Sequence, residues 1–229
     1  MISPTTVVAE AKPGPVYSIG RSVLRPVLWL RFRPRVTGKH HVPASGPVLL
    51  VSNHLGKLDT ILIPTFSPRK VQFLAKASLF GSRFGKWFFT SIGAVPVLRE
   101  ASSAAQSALD AGRAVLAAGN VFAVFPEGSR SEDGRLYRGR SGAAWLALET
   151  NATVVPVGLV GTDRKLRDPH TGKVPRVEVR FGAPLNFTDL ASLPAGRARR
   201  EATERIMDAI HALTGQERAD SYAEGGRGA

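Results

Sequence analysis

Two short polar runs, each directly following an apolar stretch, hold the side chains of this chain best suited to chemistry. The first is His54-Leu-Gly-Lys-Leu-Asp59, after Pro47-Val-Leu-Leu-Val-Ser52. Histidine is the side chain best tuned for proton transfer near neutral pH, and a carboxylate on one ring nitrogen fixes the tautomer and frees the other nitrogen to accept a proton. On a straight helix two residues five apart stand about 140° from each other. The pair therefore meets only if His54 lies in a turn and Asp59 in the first turns of a following helix. The plainer alternative is a capping residue and a surface Asp.

The second run is Phe125-Pro-Glu-Gly-Ser-Arg-Ser131, after the apolar Val121–Phe125. Gly128 lets backbone amides approach a ligand, Arg130 offers a planar fork to phosphate oxygens, and Glu127 can accept hydrogen bonds from a polyol or lock the arginine. An ordinary turn with an exposed charge pair is the competing reading. Lys76 and Arg99 are further cations at strand exits, and with Arg130 they would form a three-cation cradle suited to a phosphomonoester. No nucleophile stands out: Ser52 and Ser129 lack a G-x-S-x-G setting. Cysteine is absent, which removes disulfides, a Cys nucleophile and thiolate metal sites. His40, His41 and His170 have no partner at metal-ligand spacing, and there is no nucleotide-binding glycine fingerprint.

The elements that must position these residues alternate. Strands are expected at 47–52, 71–75, 94–98, 121–125, 154–160 and 177–181. Helices are expected at 80–89, 102–118, 142–150 and 197–213, the second with a serine at its start and Gly119 at its end. The pattern predicts one α/β domain over 37–214, a mixed and largely parallel sheet flanked by helices, with the chemistry at strand ends where ligands gather. Residues 1–15 read as a flexible leader and 215–229 as a frayed tail.

Charge adds a constraint. The 229 residues carry 31 Lys and Arg against 18 Asp and Glu, a net +13 that calls for an anionic partner. From Lys12 to Lys39 every charged side chain is basic and none is acidic: Arg21, Arg25, Arg31, Arg33 and Arg35 intervene. Within 17–33 the residues Ile19, Val23, Val27 and Leu30 share one helical arc, widened by Leu24 and Leu28, with Arg21 and Arg25 opposite. This predicts an amphipathic helix, bent at Pro26, lying in a membrane interface as part of an N-terminal segment 1–36. The alternative is a helix packing its arc on the domain itself. No apolar run reaches eighteen residues and the N-terminus is a poor secretory signal, so a peripheral or monotopic protein at the cytoplasmic face of the cell membrane is expected. The charge also permits a nucleic-acid binder, but the basic residues cluster among Leu, Val and Trp and no nucleic-acid motif appears.

Four ordered blocks resemble the glycerolipid acyltransferase family, the lysophosphatidic acid acyltransferases in particular. They are Asn-His-Leu-Gly-Lys-Leu-Asp (53–59), Gly93-Ala-Val-Pro-Val-Leu-Arg99, Phe125-Pro-Glu-Gly-Ser-Arg-Ser131 and Val154-Val-Pro-Val-Gly158. The resemblance implies transfer of a fatty acyl group from acyl-CoA or an acyl carrier protein to the sn-2 hydroxyl of 1-acylglycerol 3-phosphate, giving phosphatidic acid. It implies His54 as general base, Asp59 as its orienting carboxylate, and direct attack without a covalent enzyme intermediate. Arg99, Glu127, Gly128, Ser129 and Arg130 would hold the acceptor's glycerol phosphate, with Lys76 a further phosphate contact. No metal or other cofactor is implied, and the partners implied are a lysophospholipid, an acyl thioester and an anionic membrane surface. Two positions depart from the family pattern: Gly56 replaces the usual serine and Ser129 the usual threonine. Relatives with the same blocks acylate different lysolipids, so another lysophospholipid or a lyso-aminolipid is the alternative acceptor.

Overall fold

Val48–Ser52 (β2) is apolar without alternation and buried at every position, the signature of a strand covered on both faces. The computed structural model describes residues 13–97, 104–163, 165, 167, 172, 173 and 175–223, and β2 lies at the heart of it. Thr153–Val160 (β7) runs parallel to β2 on one side and Val121–Val124 (β6) on the other. Val71–Gln72 (β3) extends the sheet parallel to β6; Glu178–Phe181 (β8) joins β7 antiparallel, and Arg35–Thr37 (β1) closes the far edge parallel to β8. The order β1-β8-β7-β2-β6-β3 is the mixed, largely parallel sheet that the sequence predicts.

Strand periodicity divides the core in two. Leu49, Val51, Phe122 and Val154 face one layer, formed by Ala104–Ala117 (α4), Gly142–Thr150 (α5) and Ala195–Thr214 (α6). Val48, Leu50, Val121 and Val155 face the other, where Leu62, Ile63 and Phe66 of Asp59–Phe66 (α2) meet Leu28 of Pro15–Phe32 (α1). Alternate residues of each strand thus serve opposite layers.

α1 is docked by its N-terminal half. The Tyr17 hydroxyl donates to Pro64 O at 3.1 Å and accepts from Val71 N at 2.9 Å, and the Arg21 guanidinium donates to Ser67 O. Burial pushes the Tyr17 phenol above its usual pKa. Pro26 lies within the helix, and Arg33 ends it in a left-handed conformation. Among the described residues no helix is long and apolar enough to cross a membrane.

Three expectations change. The strand at 71–75 is two: β3 stays with the main sheet, whereas Leu74–Lys76 (β4) pairs in parallel with Val95–Val97 (β5) in a separate two-stranded sheet. The helix at 80–89 begins later, as Arg83–Ser91 (α3), because Ser82 caps it by accepting from Gly85 N at 2.9 Å; a 3-10 turn fills Ala77–Phe80. The tail from Gly215 is not frayed over its described part. Leu136 N donates to Glu217 O at 2.8 Å, Ala219 N to Leu136 O at 2.9 Å and Arg138 N to Ser221 O at 3.0 Å, and Ala219 and Ala223 are buried. These bonds give the segment the partners that composition alone does not reveal. Most of the predicted leader lies outside the described residues, as does Ser102 at the predicted start of α4.

Candidate active site

Backbone pairing of β2 with β7 ends at Ser52, opposite Val157. The Asn53 side chain then continues the ladder by one step: its Nδ2 donates to Leu159 O at 2.9 Å and its Oδ1 accepts from Leu159 N at 2.8 Å. The main chain is thereby released from the sheet at His54 while remaining pinned to it. Asp59 is the first residue of α2, so His54 sits in the turn and Asp59 in the helix, the one arrangement in which residues five apart can meet.

They do meet. His54 Nδ1 lies 2.7 Å from Asp59 Oδ2. A carboxylate only accepts, so Nδ1 carries the proton and Nε2 is left with a lone pair. The same Oδ2 accepts from Leu55 N at 2.7 Å and Gly56 N at 2.8 Å, while Oδ1 is buried without a partner among the described residues. All the donors converge on the oxygen that faces the imidazole, and Asp59 is completely buried. Gly56 packs closely here: a Cβ would stand 3.1 Å from Thr162 O, so the 162 main chain would have to give by a few tenths of an ångström.

The imidazole ring is fixed from a third direction. It stacks on Phe125, centroids 3.9 Å apart and planes 12° from parallel, and Phe125 stacks in turn on Phe73 at 5.9 Å. Phe73 lines an apolar cavity of about 760 Å³, walled also by Tyr17, Leu24, Ile61, Leu74 and Phe89. An aromatic ladder thus leads from the histidine to a space shaped for hydrocarbon.

Glu127 differs from its expected place. Its carboxylate is fully buried, Oε1 accepting from His54 N at 2.9 Å and Oε2 from Tyr137 N at 3.0 Å. With both oxygens engaged by main chain, it bolts the His54 turn to the 127–137 loop instead of reaching toward a ligand. Burial pushes its carboxyl up to about 7, against the pull of the two amides. Gly128 takes φ +80°, and its N–H donates to Phe125 O at 3.0 Å, which closes the turn. Ser129 and Arg130 follow, both half-buried; Arg130 has no carboxylate partner among the described residues. Lys76 ends β4 with its side chain outside the described residues, and Arg99 lies outside them too. Of the expected cradle, then, the structure describes only the Arg130 arm.

Sequence reasoning missed the second half of the scaffold. Gln216 Oε1 accepts from Asn53 Nδ2 at 2.7 Å and its Nε2 donates to Gly134 O at 2.7 Å. Ser131 N donates to His54 O at 2.8 Å. Arg140, whose side chain lies against Gly128, and Tyr222, which lies against Arg140, have no signal in the sequence spacing. Among the described residues no group of three or more His, Asp or Glu side chains is arranged to hold a metal ion.

A family model described as Acyltransferase matches residues 33–160, more than half of the chain, including His54, Asp59 and Glu127. The chain belongs to the acyltransferase family. The acyltransferase is 28% identical over 200 residues to a 1-acyl-sn-glycerol-3-phosphate acyltransferase of Bacillus subtilis, an alignment covering 86% of this chain and 96% of the relative. It is 31% identical over 134 residues to a chloroplastic 1-acyl-sn-glycerol-3-phosphate acyltransferase of Arabidopsis thaliana, covering 58% of this chain but only 37% of that longer protein. The crystal structure of the 1-acyl-sn-glycerophosphate acyltransferase PlsC from Thermotoga maritima shares the fold, with a TM-score of 0.63 over 86% of this chain and 78% of that one at 24% identity.

Proposed function

We propose that this acyltransferase moves a fatty acyl group from a thioester, acyl-CoA or acyl carrier protein, to the sn-2 hydroxyl of 1-acylglycerol 3-phosphate, giving phosphatidic acid. The observation that carries the proposal is the His54–Asp59 pair standing at the end of an aromatic ladder to an apolar cavity. His54 Nε2 takes the hydroxyl proton as the oxygen attacks the thioester carbonyl. Asp59 stabilises the imidazolium that forms. As the tetrahedral intermediate collapses the C–S bond breaks, and the imidazolium returns its proton to the departing sulfur, so ester and thiol leave together. No covalent enzyme intermediate is needed, in keeping with a chain that lacks cysteine and an elbow serine. Lys76, Arg99 and Arg130 serve the acceptor phosphate, Gly128 and Ser129 shape the turn that presents Arg130, and Glu127 holds that turn against the base. The names of the curated relatives support the choice of acceptor.

The reaction takes place at a membrane surface, on the cytoplasmic face. α1 buries only Tyr17 and Leu28; Ile19, Val23, Val27, Trp29 and Leu30 are exposed, Leu30 by 74%. Such an outward apolar face favours interfacial insertion over packing on the domain's own core. Phe84, Trp87 and Phe88 of α3 are exposed as well, beside a cavity lined by both helices. Arg25, Arg31 and Arg33 add attraction to anionic lipids, about 1 kcal/mol for each cation near the surface.

The deciding experiment offers the purified protein a panel of lysophospholipids and lyso-aminolipids with acyl-CoA and with acyl carrier protein donors, and identifies products by mass. Phosphatidic acid from lysophosphatidic acid is expected. Turnover confined to another lysolipid would refute this acceptor while leaving the chemistry in place.

A further inference from the structure

Resting on that reading of the reaction, we propose that Arg140, braced by Tyr222 against the Gly128 turn that leads to Arg130, is a second arm of the acceptor's phosphate clamp. Arg140 N donates to Pro126 O at 2.8 Å, which lays residue 140 alongside the turn. Its side chain then crosses the face of Gly128: a Cβ there would lie 2.8 Å from Arg140 Nε and 3.0 Å from its Cδ. Glycine at 128 is what lets the guanidinium lie against the turn that ends in Arg130.

The guanidinium is held from the other side by an aromatic ring. The Cζ of Arg140 is 5.6 Å from the Tyr222 ring centroid, and the Cζ of Arg138 is also 5.6 Å from it. The bond from Arg138 N to Ser221 O positions that ring. Two guanidinium groups share one ring, a cation–π arrangement that orients them without cancelling their charge.

Two neighbouring arginines differ in this respect: Arg135 lies in the same loop, and Arg218 bridges Leu136. Arg218 is paired with Glu204 and Asp208, and Arg135 with Asp133. Arg130, Arg138 and Arg140 have no carboxylate partner among the described residues. Arg138 and Arg140, brought onto one ring without a carboxylate partner, repel each other, and a dianion bound beside them relieves that repulsion. A terminal phosphomonoester carries the required charge and three oxygens, enough to meet two planar forks. The donor's phosphates are the other source of this chemistry, and the test separates the two.

Steady-state kinetics of the full chain with lysophosphatidic acid in mixed micelles decide the matter, comparing wild type with Arg140→Gln, Arg140→Lys, Tyr222→Phe and Tyr222→Leu. Loss of one charge-assisted contact predicts a KM for lysophosphatidic acid raised about tenfold or more in Arg140→Gln, with the donor KM unchanged. Lysine keeps the charge but not the fork, so Arg140→Lys recovers part of the loss. Tyr222→Phe behaves as wild type because the ring and not the hydroxyl holds the cation; Tyr222→Leu raises the KM by about threefold. Glycerol 3-phosphate used as a competitive inhibitor shows the same order of effects in its inhibition constant. An unchanged acceptor KM in Arg140→Gln, or a donor KM rising as much or more, overturns the proposal. If wild type turns over no phosphate-bearing lysolipid, the assigned reaction fails and this clamp with it. If wild type is active and Arg140→Gln is silent, only the clamp fails.

Discussion

Asn53 and Gln216 stand 163 positions apart in the chain, yet Asn53 Nδ2 donates to Gln216 Oε1 at 2.7 Å. Since Asn53 immediately precedes His54 and Gln216 also bonds Gly134, one amide ties the histidine turn, the 131–136 loop and the segment after α6 together. The C-terminal segment is thereby part of the active-site scaffold.

Replacing Gln216 by Leu removes both bonds and leaves buried polar partners unmet, at a cost of about 1–3 kcal/mol. The expected result is a lower thermal midpoint and a kcat reduced several-fold with acceptor KM little changed. A variant with wild-type kcat would show that the tie is only structural.

His54→Ala removes the proposed proton acceptor and its stack on Phe125 while leaving the main-chain bonds of residue 54 to Glu127 and Ser131 in place. Acyl transfer should fall by about 10² to 10⁴ while circular dichroism and vesicle binding stay as in wild type. Retained turnover would remove the general-base assignment.

Glu127 predicts a particular pH dependence of stability. Its folded carboxyl lies at about 7, above the ordinary 4.5, so between those values the native state binds the extra proton. Stability from this group is fully present below 4.5 and is lost as pH rises through 7, with a slope of at most about 1.4 kcal/mol per pH unit. Denaturant titrations across this range should show the slope, and Glu127→Gln should lack this one-proton component. Glutamine also sets an N–H against one of the two amides, so its kcat should drop.

A double change of Val23→Asp and Leu30→Glu on the exposed face of α1 should weaken binding to anionic vesicles by at least about tenfold, given about 1.5–3 kcal/mol for burying each apolar side chain. Cosedimentation measures this, and the folded domain should keep its thermal midpoint because neither residue is in the core. Undiminished binding would place the membrane contact elsewhere.

Much of the fold is legible in the chain because local signals agree with tertiary ones. Gly142–Thr150 forms the helix its composition predicts, and the uninterrupted apolar run of β2 marks it as a doubly covered strand. The break between β3 and β4 is not legible, since Val71 to Ala75 has one continuous strand pattern and only its partners divide it. At the site, the His54–Asp59 spacing permits a meeting only across a turn and a helix start; Gly56 makes the turn plausible, whereas the helix Asp59–Phe66 is not among those the periodicity predicts. Glu127 is different. A Pro-Glu-Gly turn says nothing about which way its carboxylate points, and the inward direction is set by the amides of His54 and Tyr137. Gln216, Arg140 and Tyr222 belong to the site only through contacts across the chain, and no local pattern announces them.

The central position of β2 has a consequence for how this enzyme loses activity. Strands flank it on both sides and core layers cover both faces, so its amides should be among the slowest to exchange with solvent, released only by opening of the whole domain. His54 hangs from the end of that strand. His54 therefore belongs to the last part of the molecule to come apart, and thermal inactivation should coincide with global unfolding, with no earlier local step that displaces this residue.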